Sequence, residues 1–287
     1  YAHLLTQYQR FKHQLLTHSA LLFIGCALYW FASQTDFNVT SVQNPIADIF
    51  IYLLKSVGLP YFLLSATGPL VQKWLVLAGS NKNPYRLYSL SNIASFLALM
   101  SFPFIFEVQF SLGVNKLLWG VIFSVYAVIF GMWLKQLSAC ETNDNNGEIE
   151  SSIDKISVGT KLLWVVYSAI GVVVLVSTTS AMTQNVPPVP FLWILPLALY
   201  LITFIVCFRT IAWYQRTYFQ LGMALVSVIA IMMYFTGTQF DIHSQVIVYS
   251  TILLMACLVC HAELVKLTPA KQNLTSFYLY IAFGGML

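Results

Sequence analysis

The stretch that decides the fold is LLWGVIFSVYAVIFGMWL, residues 117–134, which carries no charge and lies between Lys116 and Lys135. An uncharged apolar run of about 18 residues is long enough to cross the hydrocarbon core of a bilayer as a helix. An α-helix satisfies its backbone hydrogen bonds within one such segment, and the alternating pattern of a membrane β-strand is absent from the sequence. The stretch therefore predicts a transmembrane helix.

The composition of the whole chain agrees with this prediction. Of its 287 residues, 59% are hydrophobic and 8% are charged, and the mean hydropathy is +0.76. A soluble domain carries about 25% charged residues, because water must wet its surface. Soluble globular, disordered and coiled-coil proteins are therefore excluded. Four of the five cysteines lie inside apolar runs, which excludes a secreted disulfide framework.

Apolar runs of spanning length, the stretch at 117–134 included, occur along the whole chain. They lie at about 18–33, 46–66, 88–106, 114–134, 161–182, 190–208, 217–236 and 244–265, and a ninth begins near Leu274. At about 20 residues per span, a chain of this length has room for roughly nine helices. The predicted fold class is all-α: a polytopic transmembrane helix bundle of eight or nine spans, transporter-like in build.

The basic residues predict the orientation, because Lys and Arg in short loops gather on the cytoplasmic side of a membrane. If the loops alternate sides, 12 of the 14 basic residues fall on one side, Lys116 falls on the other, and Lys55 lies inside a span. The twelve are Arg10, Lys12, Lys73, Lys82, Arg86, Lys135, Lys155, Lys161, Arg209, Arg216, Lys266 and Lys271. This asymmetry places the N-terminus in the cytoplasm.

One long polar connection divides the membrane segments. Residues 136–160 contain five acidic side chains in a run rich in Asn and Ser, which is typical of a flexible linker. We predict a first membrane half with four spans at 1–135, an acidic cytoplasmic linker at 136–160, and a second half at 161–287. An acidic docking loop is the alternative interpretation of the linker.

Lys55 lies near the middle of a predicted span, where a charged side chain costs about 2.5–3.5 kcal/mol on insertion scales. Asp48 precedes it by two helical turns on the same face, about 10 Å along the helix axis. The two residues predict either a polar cavity or ion pathway, or a buried structural pair.

The same segment contains two glycine–proline elements, GLP at 58–60 and GP at 68–69. Proline removes a backbone donor and clashes with the preceding turn, so we expect a bent or interrupted helix. Many transporters use broken helices to expose backbone groups to substrate, and Ser65 and Thr67 immediately precede the second element. A simple packing kink is the alternative.

Two hydroxyl residues, Thr178 and Thr179, precede a proline-rich turn that the orientation places on the outer face. Their side chains either line an external vestibule or cap the helices beside the turn. The sequence leaves both interpretations open.

Residues 257–263 read CLVCHAE at the cytoplasmic end of a predicted span. The C-x-x-C-H spacing matches the attachment signature of c-type haem, but that chemistry requires the outer compartment and an accessible loop. Consecutive helical positions point in different directions, which argues against a metal site. We therefore expect no cofactor and no metal. His261 and Glu263 predict either a polar helix end that bonds a neighbouring helix or a proton-coupled pair.

Five segments carry a resemblance to one family. They are VGLPYFLLSATGPLVQKWL (57–75), NPYRLYSLSNIASFLALMSFPFIFE (83–107), VPFLWILPLALYLITFIVCF (189–208), CHAEL (260–264) and LTSFYLYIAFGG (274–285). Together they resemble the multi-pass membrane domain of bacterial spermidine synthase-like proteins, also described as fused transporter/spermidine synthase proteins.

The resemblance implies a location in the bacterial inner (cytoplasmic) membrane. It also implies further membrane helices before Tyr1 and after Gly285, so that the chain is truncated at both ends, and often a cytosolic aminopropyltransferase domain. No part of that catalytic domain is recognisable in the 287 residues. The resemblance therefore leaves open whether the chain belongs to an enzyme.

The leading hypothesis is a membrane domain that transports, senses or positions a small cationic substrate such as a polyamine. We expect polar residues of the spans to bind this substrate, with none acting as a catalyst. These candidates are Lys55, Asp48, Ser65, Thr67, Asn92, Thr178, Thr179, His261 and Glu263. A charged Lys55 opposes a cationic substrate unless it is neutral or paired.

Two hypotheses from other classes stay open. One is a structural or assembly subunit of a membrane complex, without transport or catalysis of its own. The other is a membrane-embedded enzyme that uses His261 and Glu263. The expected partners are the lipid bilayer, a fused or associated cytosolic enzyme domain and other membrane proteins, whereas a basic surface for nucleic acid is absent from the sequence.

Overall fold

The computed structural model describes residues 1–33, 45–79, 83–139, 156–184, 190–236 and 240–287, and within these ranges it contains helices and no strand. The α-helices are α1 (Ala2–Tyr8), α2 (Phe11–Ser33), α3 (Pro45–Leu53), α4 (Leu59–Leu77), α5 (Tyr85–Ser101), α6 (Glu107–Gln109), α7 (Leu112–Ala139), α8 (Val158–Thr183), α9 (Pro190–Arg209), α10 (Arg216–Thr236), α11 (Ile242–Lys266) and α12 (Leu274–Met286). Two π-helical segments, Leu54–Gly58 and Phe102–Phe106, and a 3₁₀ turn, Lys271–Asn273, complete the described secondary structure.

Eight helices within the described ranges are long and apolar enough to cross a membrane. They are Phe11–Ser33, Ile46–Leu77, Tyr85–Gln109, Leu112–Ser138, Val158–Thr183, Leu192–Arg209, Arg216–Thr236 and Ile242–Lys266. Each overlaps one predicted span, and a further helix begins at Leu274 as predicted. The predicted fold class is confirmed: the chain is an all-α, multi-pass membrane protein.

The surface of these helices is apolar. On α10, Leu221, Leu225 and Met232 expose 64%, 66% and 63% of their area. A water-soluble protein rarely exposes such a continuous apolar surface, because it would aggregate. In a bilayer the same side chains contact lipid tails.

The chain forms two compact units, which do not coincide with the predicted halves. The first contains α1 to α4, α6 and α7, and the second contains α5 and α8 to α12. Helix α5 belongs to the second unit because it packs on α9, where the Tyr88 and Phe208 rings lie 4.8 Å apart and Ser89 donates to the Ile205 carbonyl at 2.9 Å. Most of the predicted linker, residues 140–155, lies outside the described residues.

The first unit is held at one end by an apolar cluster from α1, α2, α4 and α7. Its buried members are Leu5, Phe11, Leu15, Leu70, Trp74, Leu134 and Leu137. The cluster brings the start of α2 close to the ends of α4 and α7, so Lys12, Lys73 and Lys135 lie at the same end of this unit. That arrangement is the one that alternating spans predict.

The second unit has a larger aromatic cluster at the starts of α5, α8 and α12 and the ends of α9 and α11. Its buried members are Tyr85, Trp164, Phe204, Phe208, Leu264, Leu274, Phe277, Tyr278 and Ile281. Arg86 and Arg209 adjoin Tyr85 and Phe208 in sequence and so lie at the same end of this unit, as predicted.

Both π-helical segments occur next to a proline. Pro60 follows Leu54–Gly58 closely, and Pro103 lies inside Phe102–Phe106. Proline cannot donate to the preceding turn and its ring pushes that turn away, which a wider π turn accommodates. The interruption expected at residues 58–60 is therefore a π turn and not a break, and α4 continues through Pro69.

Candidate functional site

The nine predicted binding residues lie in both units, four in the first and five in the second. In the first unit, Asp48 is half-buried on α3, and the backbone of Lys55 lies in the π turn. The Lys55 side chain lies outside the described part of the structure, so its pairing with Asp48 stays a prediction. Ser65 is exposed on α4 and donates to the Phe62 carbonyl of its own helix at 2.9 Å.

Thr67 belongs to a buried polar site around His18, which is fully buried in the first unit. The Thr67 hydroxyl donates to the Leu63 carbonyl at 2.7 Å, so its oxygen is left to accept from His18 Nε2 at 3.0 Å. This assigns the imidazole proton to Nε2. His18 Nδ1 then accepts from the Tyr1 hydroxyl at 3.2 Å, and both ring nitrogens are satisfied.

Apolar and aromatic side chains close this His18 site. The rings of Trp74 and Phe130 lie 5.7 and 6.0 Å from the imidazole. Gln14, buried one turn before His18 on α2, accepts from the Trp74 indole nitrogen at 2.9 Å. The site is a satisfied polar network of the kind that fixes helix packing.

Three predicted residues of the second unit bond to their own helices. Asn92 donates to the Tyr88 carbonyl at 2.7 Å. Thr178 and Thr179 donate to the carbonyls of Val174 and Leu175, each at 2.7 Å. Such bonds to the preceding turn are the usual way for hydroxyls inside a helix to satisfy their donor, and they do not require a ligand.

His261 is 1% exposed and lies on α11 against α8 and α9. Its ring stacks on Phe204 with centroids 3.6 Å apart, and its Nδ1 lies 2.9 Å from the Thr203 oxygen. The Thr203 hydroxyl donates to the Tyr200 carbonyl at 2.7 Å, so Nδ1 carries the proton. Nε2 has no hydrogen-bond partner among the described residues and points at Gly171, where a Cβ atom would lie 3.3 Å away.

Glu263 lies half a turn further along α11 and is 8% exposed. Three donor groups contact its carboxylate. The Tyr214 hydroxyl donates to Oε1 at 3.0 Å. Lys266 Nζ and Arg216 Nε lie 3.5 and 3.6 Å from the same oxygen. We call this group the Glu263 site: Tyr214, Arg216, Glu263 and Lys266.

The Glu263 site is built from the end of α11, the start of α10 and the loop before α10. The Lys266 ammonium also lies 4.4 Å from the centroid of the Tyr214 ring, a cation–π contact. Burial raises the pKa of the Tyr214 phenol above its usual value, and the hydrogen bond to the Glu263 carboxylate raises it further. Tyr214 therefore remains a donor to Glu263 throughout the physiological pH range.

The C-x-x-C-H motif does not form a metal centre in the described residues. They contain no group of three His, Cys, Asp or Glu side chains placed to hold one ion. Cys257 and Cys260 are buried free thiols, and Cys257 makes a long contact of 3.9 Å with the Gly171 carbonyl. Their role in the structure is to pack α11 against its neighbours.

A concavity of the surface lies away from these residues. A shallow depression of about 320 Å³ in the first unit is lined by Val71, Tyr126, Ile129, Phe130 and Trp133. None of the nine predicted residues lines it, and its wall is apolar. The depression offers no carboxylate to a cation.

Sequence reasoning identified Glu263 and His261 but not their partners. Tyr214 and Arg216 lie in and just after the short turn between α9 and α10, at 210–215, where a phenol and a guanidinium have no distinctive spacing. His18 stands at the first residue of the predicted span 18–33, where the apolar pattern gives no sign that its side chain is buried. Comparison of the chain with protein-family models, with curated proteins and with solved structures gives no match.

Proposed function

We propose that the chain is the membrane domain of a spermidine synthase-like protein of the bacterial inner membrane, and that it binds a small cationic substrate such as a polyamine at the Glu263 site. The observation that carries this proposal is the burial of Glu263. Among the described residues, Glu263 is the only Asp, Glu, Lys or Arg whose side chain is buried. A buried carboxylate at a membrane helix marks a position that holds positive charge, and here that charge comes from two side chains that are themselves partly exposed.

The chemistry of the Glu263 site fits an ammonium ligand. The Tyr214 phenol holds Oε1 in place, and the Tyr214 ring presents a π face to a cation. The two basic partners, Lys266 and Arg216, have side chains 40% and 59% exposed. Both side chains reach water, and an incoming ammonium would replace the positive charge that they withdraw, so the buried carboxylate stays paired during the exchange.

The position of the site also supports the proposal. The sequence resemblance includes CHAEL at 260–264, which contains Glu263. The distribution of basic residues predicts that this end of α11 faces the cytoplasm. A polyamine bound there would be delivered to, or received from, a cytosolic aminopropyltransferase domain attached to or associated with the chain.

The proposal is tested by uptake of radiolabelled spermidine into proteoliposomes, with equilibrium binding measured on the same preparations. We expect saturable binding by the unchanged protein and its loss in Glu263→Gln. Glu107→Gln is the matched control, because Glu107 is an exposed carboxylate on α6. Binding with uptake supports transport, and binding without uptake supports sensing or positioning. Equal binding by the Glu263→Gln variant would overturn the proposal.

A structural or assembly subunit is the second candidate, and one observation favours it. Ser65, Asn92, Thr178 and Thr179 satisfy their donors on their own helices, as residues with a packing role do. This candidate predicts that the protein purifies in a stoichiometric complex with other membrane proteins and binds no spermidine. Mass measurement of the detergent-solubilised native complex distinguishes it from the first candidate.

A further inference from the structure

We infer that the Glu263 site takes the terminal primary ammonium of a linear amine, and that Lys266 occupies the same position as an intramolecular competitor. This inference rests on the proposed function and specifies both the ligand class and its regulation. It is argued from the contacts of Lys266, which are those that a bound amine would make.

Lys266 shows what the site accepts. Its side chain is an unbranched methylene chain ending in an ammonium, like the ends of putrescine and spermidine. The ammonium nitrogen lies 3.5 Å from Glu263 Oε1 and 4.4 Å from the centroid of the Tyr214 ring. One cation therefore contacts a carboxylate and an aromatic face together, which is a recurrent way of binding an ammonium group.

The same contact competes with a ligand. Lys266 is three residues after Glu263 on α11, so its ammonium is held near the carboxylate at a high effective concentration. Its 40% exposure gives the side chain room to move into solvent when a ligand arrives. A free amine must therefore displace Lys266, and removal of the Lys266 charge strengthens amine binding.

The site selects for N–H donors. All three polar contacts of Glu263 are made through Oε1 by groups that carry hydrogens on nitrogen or oxygen. A primary ammonium supplies three such hydrogens, whereas a quaternary ammonium supplies none and retains only the cation–π contact. Choline is therefore a poor ligand, and putrescine and spermidine are good ones.

The site has an aromatic border on the side of Tyr214. The rings of Trp213 and Phe219 lie 6.2 and 5.3 Å from the Tyr214 ring, and 5.3 Å from each other. These rings hold the Tyr214 face in position, so that the cation–π contact does not depend on Lys266. The ligand position persists when Lys266 leaves it.

The experiment is a calorimetric titration of the purified full chain in detergent with spermidine, putrescine and choline. We expect Lys266→Gln to bind spermidine about two- to fivefold more tightly, because the ligand no longer has to displace a cationic side chain that is already partly in water. Lys266→Arg keeps the competing charge and is expected to bind as the unchanged protein does. Lys161→Gln is the matched control, because Lys161 also lies over a tyrosine ring, 5.6 Å from the centroid of Tyr280.

The outcomes separate this inference from the function on which it rests. Unchanged affinity in Lys266→Gln, with binding still lost in Glu263→Gln, overturns the competitor role and leaves the cation site standing. Choline binding as tightly as putrescine overturns the selection for a primary ammonium. Binding that survives in Glu263→Gln removes the proposed function itself.

Discussion

The His18 site of the first unit and the Glu263 site of the second are both polar groups in an apolar protein. They differ in how readily their hydrogen-bond and ion-pair partners can be replaced. Both nitrogens of His18 have partners, and aromatic rings seal the imidazole. Glu263 is also buried, yet two of its three partners are side chains with 40% and 59% of their area exposed. A closed network fixes packing, whereas a network with exchangeable partners is suited to binding.

His261 combines features of both sites. It is as buried as His18, but its Nε2, which the Thr203 bond to Nδ1 leaves as an acceptor, has no donor among the described residues. A Cβ atom at Gly171 would lie 3.3 Å from this nitrogen, so α8 approaches the imidazole closely on that side. The imidazole is held by the Thr203 bond and by stacking on Phe204, and its second nitrogen has no partner among the described residues.

The largest loss of stability is expected at the close contact between α8 and α12 in the second unit. In Gly284→Ala, the added methyl would collide with the Val165 backbone carbonyl, which cannot move aside as a side chain can. We expect a loss of about 1–3 kcal/mol or more in unfolding free energy. Thermal unfolding in detergent, followed by tryptophan fluorescence, measures it.

Gly113→Ala is the control for this change, because a Cβ at Gly113 meets nothing within 4 Å. Alanine favours helix over glycine, so the control should be neutral or slightly stabilising. Equal destabilisation by the two variants would mean that α12 does not pack closely on α8.

The second effect distinguishes the His18 site, which aromatic rings seal, from the Glu263 site, whose cationic partners are partly exposed. Thr67→Val removes the acceptor of His18 Nε2 and leaves a buried donor without a partner, which costs about 1–3 kcal/mol. Spermidine affinity should not change, because His18 and Glu263 belong to different units. Thr251→Val is the control, since the Thr251 hydroxyl donates to the Ile247 carbonyl of its own helix, α11, and makes no bond to another helix among the described residues. A weakened spermidine affinity in Thr67→Val would contradict the distinction between the two sites.

The third effect is expected at Glu263, where a substitution should abolish spermidine binding but change the unfolding free energy only slightly. Glu263→Gln should reduce the unfolding free energy by less than about 1 kcal/mol, because the amide oxygen still accepts from Tyr214 and the lost ion pairs are with exposed cations. Chemical unfolding in detergent measures this loss. A destabilisation as large as that of Thr67→Val would instead indicate a structural role for Glu263.

The sequence predicts the spans well because each apolar run depends on local composition alone. The partners of the polar residues could not be predicted, because they depend on packing between distant segments. His18 and Thr67 are separated by 49 positions, as are Tyr214 and Glu263. The sequence predicts a bent or interrupted helix before Pro60 but not a π turn, since proline's effect on a helix depends on how neighbouring turns rearrange.

The smallest loss of stability is expected at the N-terminal end of α11, far along the helix from Glu263. Asp241 caps this helix by accepting from the Ser244 hydroxyl at 2.6 Å and the Ser244 backbone amide at 3.2 Å. These bonds hold the pKa of Asp241 below its usual value, so the cap stabilises the helix when Asp241 is ionised. Its contribution is present above about pH 4 and is lost as the pH falls through the lowered pKa. Unfolding temperatures of the protein and of Asp241→Asn should therefore converge at acidic pH, and a constant difference would show that Asp241 does not titrate as the cap.

The most direct measurement of the cation site is an experimental structure of the chain with spermidine bound. We predict an ammonium group between the Glu263 carboxylate and the Tyr214 ring, with the Lys266 side chain displaced toward solvent. The Tyr214 hydroxyl should keep its bond to Oε1. A structure determined at saturating spermidine in which Lys266 still contacts Glu263 and Tyr214, and no amine lies between them, would contradict the account.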